Sequence, residues 1–199
     1  GTLYQSQDGG RTWELLQAEV GEGPINSLWL APDYAESAHM IAGVGSHICF
    51  STDRGQSWRF VAEMPGSILA LGGREGTVLA GLHDAGIWQS VDGGMTWASI
   101  SENLSARGFA RLAVSEGQLY AMGPQEGMWV SADGGKAWRT LPGLAPYLPL
   151  TAVHVAQKND LFVASQGSGI LHSADSGETW DVVSHVPGVQ TLFVVPQTG

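Results

Sequence analysis

A single cysteine, Cys49, stands in 199 residues, so no internal disulfide framework holds this chain together. Cys49 sits in the apolar alternation His47–Ile48–Cys49–Phe50 and is read as a small buried hydrophobe. One unpaired thiol does not decide the redox compartment. Basic residues are scarce as well: nine Lys and Arg against nineteen Asp and Glu leave a formal charge of −10. No cluster of Lys and Arg is present to neutralise phosphates, which excludes nucleic acid as the expected partner and argues against charge-driven docking on anionic lipid. Charged residues of both signs make up only 14% of the chain. No apolar run approaches the roughly eighteen residues that span a bilayer. No stretch combines helical period with caps at both ends, which argues against a helical bundle.

Glycine is what the chain has in plenty, 28 residues together with 9 prolines. This composition suits many short strands joined by tight turns. The glycines fall within a repeat: Ser6-Gln-Asp8-Gly-Gly10-Arg-Thr12-Trp13, Ser51-Thr-Asp53-Arg-Gly55-Gln-Ser57-Trp58, Ser90-Val-Asp92-Gly-Gly94-Met-Thr96-Trp97, Ser131-Ala-Asp133-Gly-Gly135-Lys-Ala137-Trp138 and Ser173-Ala-Asp175-Ser-Gly177-Glu-Thr179-Trp180. The octets recur at intervals of about forty residues, the length of one four-stranded propeller blade. The Asp side chain is expected to accept hydrogen bonds from N–H groups of its own turn, the glycines to supply the turn's backbone angles, and the Ser and Thr hydroxyls to tie its ends. Asp8, Asp53, Asp92, Asp133 and Asp175 are therefore read as turn closures rather than as metal or catalytic carboxylates. Trp13, Trp58, Trp97, Trp138 and Trp180 are expected to anchor the following strand in a hydrophobic gap, which puts the cost of Trp97→Ala at about 3–5 kcal/mol. Ala137 lacks the tying hydroxyl, so the fourth turn should be looser.

The pattern S-x-D-x-G-x-T-W resembles the Asp-box, or BNR repeat, of sialidases, sortilin-type receptors, xyloglucan-cleaving hydrolases and photosystem II assembly factors. The resemblance covers nearly the whole chain and implies an all-β propeller of four-stranded antiparallel blades. It also implies that the octets lie on the edge of the propeller, away from the active face.

Between octets each unit reads as four strands, A to D. The A strands are expected at Ile25–Leu30, Ile68–Leu71, Ala110–Val114 and Thr151–Ala156, and the B strands at Met40–Val44, Thr77–Leu82, Gln118–Met122 and Asp160–Ser165. In the second unit Gly86–Gln89 is strand C and Thr96–Ile100 strand D. An N-terminal C–D pair around Tyr4 and Trp13, joined to a C-terminal strand A around Thr191–Val195, would complete a fifth blade and close the ring with both chain ends. The alternative is an excerpt of a six- to eight-bladed propeller. Either way the chain is one domain, 1–199.

The B–C turns and the D–A connections belong to the face opposite the octets, where loops are held by a rigid frame. The candidate binding residues there are His47, His83, Asp84, Gln125, Glu126 and Gln166 from the turns, with Arg107, Arg111 and Tyr147 from the connections. His47, His83, Asp84 and Glu126 could in principle hold a metal, but they are separated by whole blades and lack the close spacing of a preformed site. No metal and no cofactor is expected. A sialidase would need three convergent arginines, a Tyr–Glu pair, an Asp acid and an R-I-P stretch. Of seven arginines, Arg11, Arg54, Arg59 and Arg139 fall in or beside octets, and no R-I-P stretch is present. A glycosidase of the xyloglucan-cleaving type would need paired carboxylates across a cleft between two propellers. Asp33, Asp84, Glu126 and Asp160 are unpaired in sequence. The expected function is thus a non-enzymatic scaffold docking a protein partner, with carbohydrate binding through exposed aromatics such as Trp29, or a sialidase-like glycoside hydrolase, as the alternative. The resemblance leans toward an exported protein.

Overall fold

A computed structural model describes residues 1–16, 19–74, 76–102, 104, 108–115, 117–157 and 160–192. Strands β1 (Leu3–Gln5) and β2 (Glu14–Leu16) form an antiparallel hairpin. Four antiparallel sheets of four strands follow in chain order. The first blade comprises β3 (Ile25–Leu30), β4 (Met40–Val44), β5 (His47–Ser51) and β6 (Arg59–Glu63), with a four-residue helix α1 (Tyr34–Ser37) between β3 and β4. The second comprises β7 (Ile68–Arg74), β8 (Thr77–Leu82), β9 (Gly86–Ser90) and β10 (Ala98–Ser99). The third comprises β11 (Arg111–Ser115), β12 (Gln118–Gly123), β13 (Gly127–Ser131) and β14 (Arg139–Thr140). The fourth comprises β15 (Leu150–Gln157), β16 (Asp160–Ser165), β17 (Gly169–Ser173) and β18 (Asp181–Ser184).

Sequential strands pair within every sheet, as expected of blades, and the A strands β3, β7, β11 and β15 lie side by side from one blade to the next. Ser27 Oγ on β3 accepts the Leu71 N–H of β7 at 2.8 Å, and Trp29 Nε1 donates to the Gly73 carbonyl at 3.4 Å. The hydrophobic core is divided into layers between sheets. Val20, Ala42, Val44 and Cys49 pack with Leu3 of the hairpin. Ile41, Ile48 and Phe50 meet Val78, Ala80 and Leu82. Ile87 meets Ala121 and Trp129, and Tyr120, Met122 and Val130 meet Leu161, Val163 and Leu171. Successive residues of a strand point to opposite faces, so both faces of the inner blades are spent on neighbours.

Each octet is closed by its own side chains. In the third, Ser90 Oγ donates to Asp92 Oδ1 at 2.7 Å and accepts the Gly94 N–H at 2.7 Å. Asp92 Oδ1 also accepts the N–H groups of Met95 and Thr96, while Oδ2 accepts the Thr96 hydroxyl at 2.6 Å. The same bonds recur around Asp8 and Asp175, and Asp53 likewise accepts the Ser57 N–H and hydroxyl. Asp133 keeps the Ala137 N–H at 2.9 Å but has no hydroxyl at that position to bind. These bonds favour the ionised form. The Thr12 N–H, with the Thr12 and Ser6 hydroxyls, lowers Asp8 to about 2. Asp92 and Asp175 are held lower still, chiefly by the Thr96 and Thr179 hydroxyls, and Asp53 is lowered chiefly by the Ser57 hydroxyl. Asp133 is lowered mainly by the Ala137 N–H.

The structure differs from expectation at several points. The octet tryptophans are not core residues: Trp58, Trp97, Trp138 and Trp180 are half-buried and Trp13 is 62% exposed. Trp58, Trp97, Trp138 and Trp180 pack against the edges of layers, and all five indole N–H groups are bound to a carbonyl, as Trp97 to Gly94 at 3.0 Å. The expected cost of Trp97→Ala accordingly falls to about 2 kcal/mol. Strand D of the second blade is only Ala98–Ser99, because Thr96 is committed to the turn. Helix α1 is stabilised locally by Asp33, whose carboxylate accepts the Ser37 hydroxyl. The expected closing strand at Thr191–Val195 lies mostly outside the described residues, and Thr191 and Leu192 are not in a strand.

Two outcomes follow from this packing. A Cβ on Gly135 (φ 89°) would lie 2.7 Å from Ile100 of the preceding blade, whereas one on Gly10 (φ 86°) meets only its own Trp13 at 3.9 Å. Urea denaturation should show Gly135→Ala losing about 2–3 kcal/mol and Gly10→Ala about 1 kcal/mol; equal losses would mean the close approach carries no cost. The octet carboxyls have folded pKa values below the ordinary 3.8, so the unfolded chain takes up more protons as pH falls through 4. Their contribution is fully present above that pH and is lost toward pH 2. Acid titration followed by circular dichroism should show stability falling in that window, and Asp92→Asn should lower Tm more than Asp133→Asn.

Candidate functional site

The face opposite the octets is knitted by backbone hydrogen bonds. Each A strand starts beside the B–C turn of its own blade, and that turn also touches the next D–A connection. Gly45 N–H donates to Pro24 O, and Ile68 N–H donates to Gly45 O at 2.7 Å. Leu150 N–H donates to Pro124 O and Gln166 N–H to Pro149 O. Among the described residues the result is a rim of alternating turns and connections hydrogen-bonded to one another.

The candidate side chains are spread along this rim, about one group per blade. His47 opens β5 and packs edge-on against Phe60, ring centroids 5.4 Å apart. His83 and Asp84 follow β8 and form a pair, Nδ1 to Oδ2 at 3.0 Å, with both side chains exposed. Asp84 takes a left-handed φ of 57°, which holds the turn sharp and its carboxylate outward. Gln125 and Glu126 are exposed in the turn between β12 and β13, and Gln166 is exposed between β16 and β17. Arg111 is exposed at the start of β11, its guanidinium donating to the Ala110 carbonyl at 2.7 Å. Tyr147 is half-buried against the layer between the third and fourth blades, and its carbonyl accepts the Ser165 hydroxyl at 2.6 Å. Arg107 lies outside the described residues. The structure joins only His83 to Asp84 among the described members of this set; the others remain separated by blades. Among the described residues no three His, Cys, Asp or Glu side chains gather as metal ligands.

A second feature is a cavity of about 690 Å3 between the N-terminal hairpin and the first blade. Trp58, Phe60, His47 and Cys49 line one side, Leu15, Leu16 and Val20 another, and Glu19 and Glu22 stand in its lining. Its size is that of a small-ligand pocket with aromatic walls and a few polar groups. Phe60 is 60% exposed and was not among the residues singled out from sequence. The signal was present: two residues after the octet Trp the other copies carry Leu15, Ser99, Thr140 and Val182, and only this one an aromatic ring. Burial pushes the Cys49 thiol up. Trp88 and Trp129 pack between blades, Trp129 edge-on to Phe109 at 5.4 Å, and Trp29 bridges to the second blade, which leaves none of the three as a free platform. His154 is half-buried on β15, and desolvation lowers its pKa.

No protein-family model and no curated protein sequence matches the chain. Solved structures match in fold. A GH74 enzyme of Niastella koreensis superposes over 90% of this chain with a TM-score of 0.68 and 20% identity. YCF48 from Cyanidioschyzon merolae superposes over 80% with a TM-score of 0.61 and 12% identity, and YCF48 bound to D1 peptide over 95% with a TM-score of 0.52 and 17% identity. The chain spans 33% of the GH74 enzyme and 56% of the Cyanidioschyzon merolae protein. At these identities the likeness is one of fold, and the fold is that of propeller blades.

If the Cys49 wall of the cavity is closed in solution, native-state labelling by a thiol reagent at pH 8 should be about 100-fold slower than in denaturant, and should speed up as pH rises further. Labelling at the denatured rate would show that the hairpin does not cover this wall.

Proposed function

We propose that the protein is an Asp-box propeller that acts as a non-enzymatic docking scaffold, taking an extended segment of a partner protein along the rim of B–C turns and D–A connections. The observation that carries this reading is the spacing of the rim groups. His47, the His83–Asp84 pair, Glu126 and Gln166 stand on successive blades, which suits contacts repeated along a peptide rather than chemistry at one atom. Arg111 and Tyr147, with Arg107, supply a cationic and an aromatic group on the connections. A rigid, self-bonded rim needs little ordering on binding, so modest contacts suffice. The fold likeness to a propeller bound to a peptide supports the same reading.

The 690 Å3 cavity favours a second reading. Trp58 and Phe60 offer ring faces for a sugar, and Glu19 and Glu22 offer hydroxyl acceptors. The fold likeness to a GH74 enzyme agrees with carbohydrate as a ligand class.

Crosslinking of the protein to captured partners, with mass-spectrometric mapping, separates these readings. Docking on the rim predicts crosslinks at 83–85, 124–126 and 166–168, and a loss of about tenfold in affinity for His83→Ala with Glu126→Ala at unchanged Tm, roughly 1.4 kcal/mol. Crosslinks confined to the octet edge would sink the rim reading. Glycan-array binding abolished by Phe60→Ala would transfer the function to the cavity.

A further inference from the structure

At two junctions between blades, the residue after an octet Trp reaches the sixth residue of the next octet. Arg139, after Trp138, pairs with Glu178, guanidinium nitrogen to carboxylate oxygen at 2.8 Å. Arg59, after Trp58, fills the same place in the repeat, and its partner is Met95 of the second blade. Arg59 Nη2 donates to Met95 Sδ at 3.0 Å, and the guanidinium carbon lies 5.3 Å from the centroid of the Phe50 ring. A thioether sulfur is a weak acceptor. This junction therefore sets a cationic donor against a poor acceptor where the other has a carboxylate.

Met95 also stands apart from the other methionines of the chain. Met40, Met64, Met122 and Met128 are 5%, 4%, 0% and 1% exposed, each closed within a layer. Met95 is only half-buried, at the edge of the layer that Trp97 also borders. Susceptibility of a sulfur to oxidants follows its exposure. A dissolved oxidant thus reaches one methionine of five in the folded chain.

We propose that Met95 is a site of oxidation by hydrogen peroxide, and that Arg59 receives the product. A sulfur lone pair attacks one peroxide oxygen, and the O–O bond breaks. The sulfur is oxidised to the sulfoxide, and the peroxide is reduced, its second oxygen leaving as water with the proton of the transferred hydroxyl. The sulfoxide oxygen is a strong acceptor within reach of Arg59 Nη2, so the oxidised junction gains the nitrogen-to-oxygen contact that Arg139 makes with Glu178. Sulfoxide formation commonly disrupts packing, because an apolar side chain becomes polar. Here the polar product meets a donor already in place, and the modification tightens the first blade on the second. The site lies on the octet edge and is independent of the docking rim.

Peroxide titration of the whole folded chain, read by intact mass and peptide mapping, tests the site. One oxygen atom should enter at Met95 about tenfold faster than at any other methionine. The singly oxidised protein should then unfold about 1–3 °C above the reduced one, and in Arg59→Ala the gain should become a loss. Met95→Glu, which copies the place of Glu178, should raise Tm in the same way and only while Arg59 is present. Oxidation of Met95 no faster than of the four buried methionines would overturn the site. An equal fall in Tm on oxidation with and without Arg59 would overturn the part given to the guanidinium.

Discussion

The burial of the inner sheets on both of their faces is the constraint on which this molecule depends. A four-stranded sheet with its apolar side chains split between two faces cannot shelter both by folding alone. Ile41 and Phe50 of the first blade are shielded by the second, while Ala42, Val44 and Cys49 of the same strands are shielded by the hairpin. The core therefore has no centre. It is a series of thin layers, and stability accrues layer by layer as in other repeat arrays. Loss at one interface exposes a face of two blades, as the exposure of Trp13 and Val183, against which no sheet of the described residues packs, illustrates.

The octets make such stacking possible by removing bulk where sheets approach. A turn closed by side-chain hydrogen bonds can afford two glycines in a row, because Asp and Ser replace the constraint that a Cβ would have imposed. In the third copy six bonds converge on Ser90 and Asp92, and the backbone that results is narrow enough for Gly94 to accept Ile41. The carboxylates are held ionised by donors within their own turn, which occupies their lone pairs and suits them poorly to metal binding or proton transfer. That is a physical reason for seeking function on the other face.

Strand order and most strand boundaries were legible in sequence because the octets fix the phase of the repeat. With Ser90 and Ser131 in register, the B and C strands can lie only where β8, β9, β12 and β13 were found. The D strands were less legible. Their first residues belong to the turn, and their outer position asks for little alternation, so Ala98–Ser99 and Arg139–Thr140 carry no pattern of their own. The depth of the octet Trp was overestimated for a related reason: a large aromatic recurring in every octet suggests a core, yet here it packs at the edge of a layer and keeps its N–H bonded to a carbonyl. Helix α1 was missed because one turn held by Asp33 has no period to read.

The rim residues were legible as a set but not as a geometry. Turn sequences such as His83-Asp84-Ala85 announce exposed polar groups, and they lie where the blade topology predicts. The cavity was not legible, since it arises from how the hairpin meets the first blade and from one departure, Phe60, at a position that elsewhere is small or aliphatic in most copies. A repeat specifies what its copies share; ligand recognition has to come from what they do not share. In this chain those differences are the rim turns, the connections of unequal length before β3, β7, β11 and β15, and Phe60. The rim turns and connections lie off the octet edge, so the repeat that builds the frame also marks, by exclusion, a surface left free to bind.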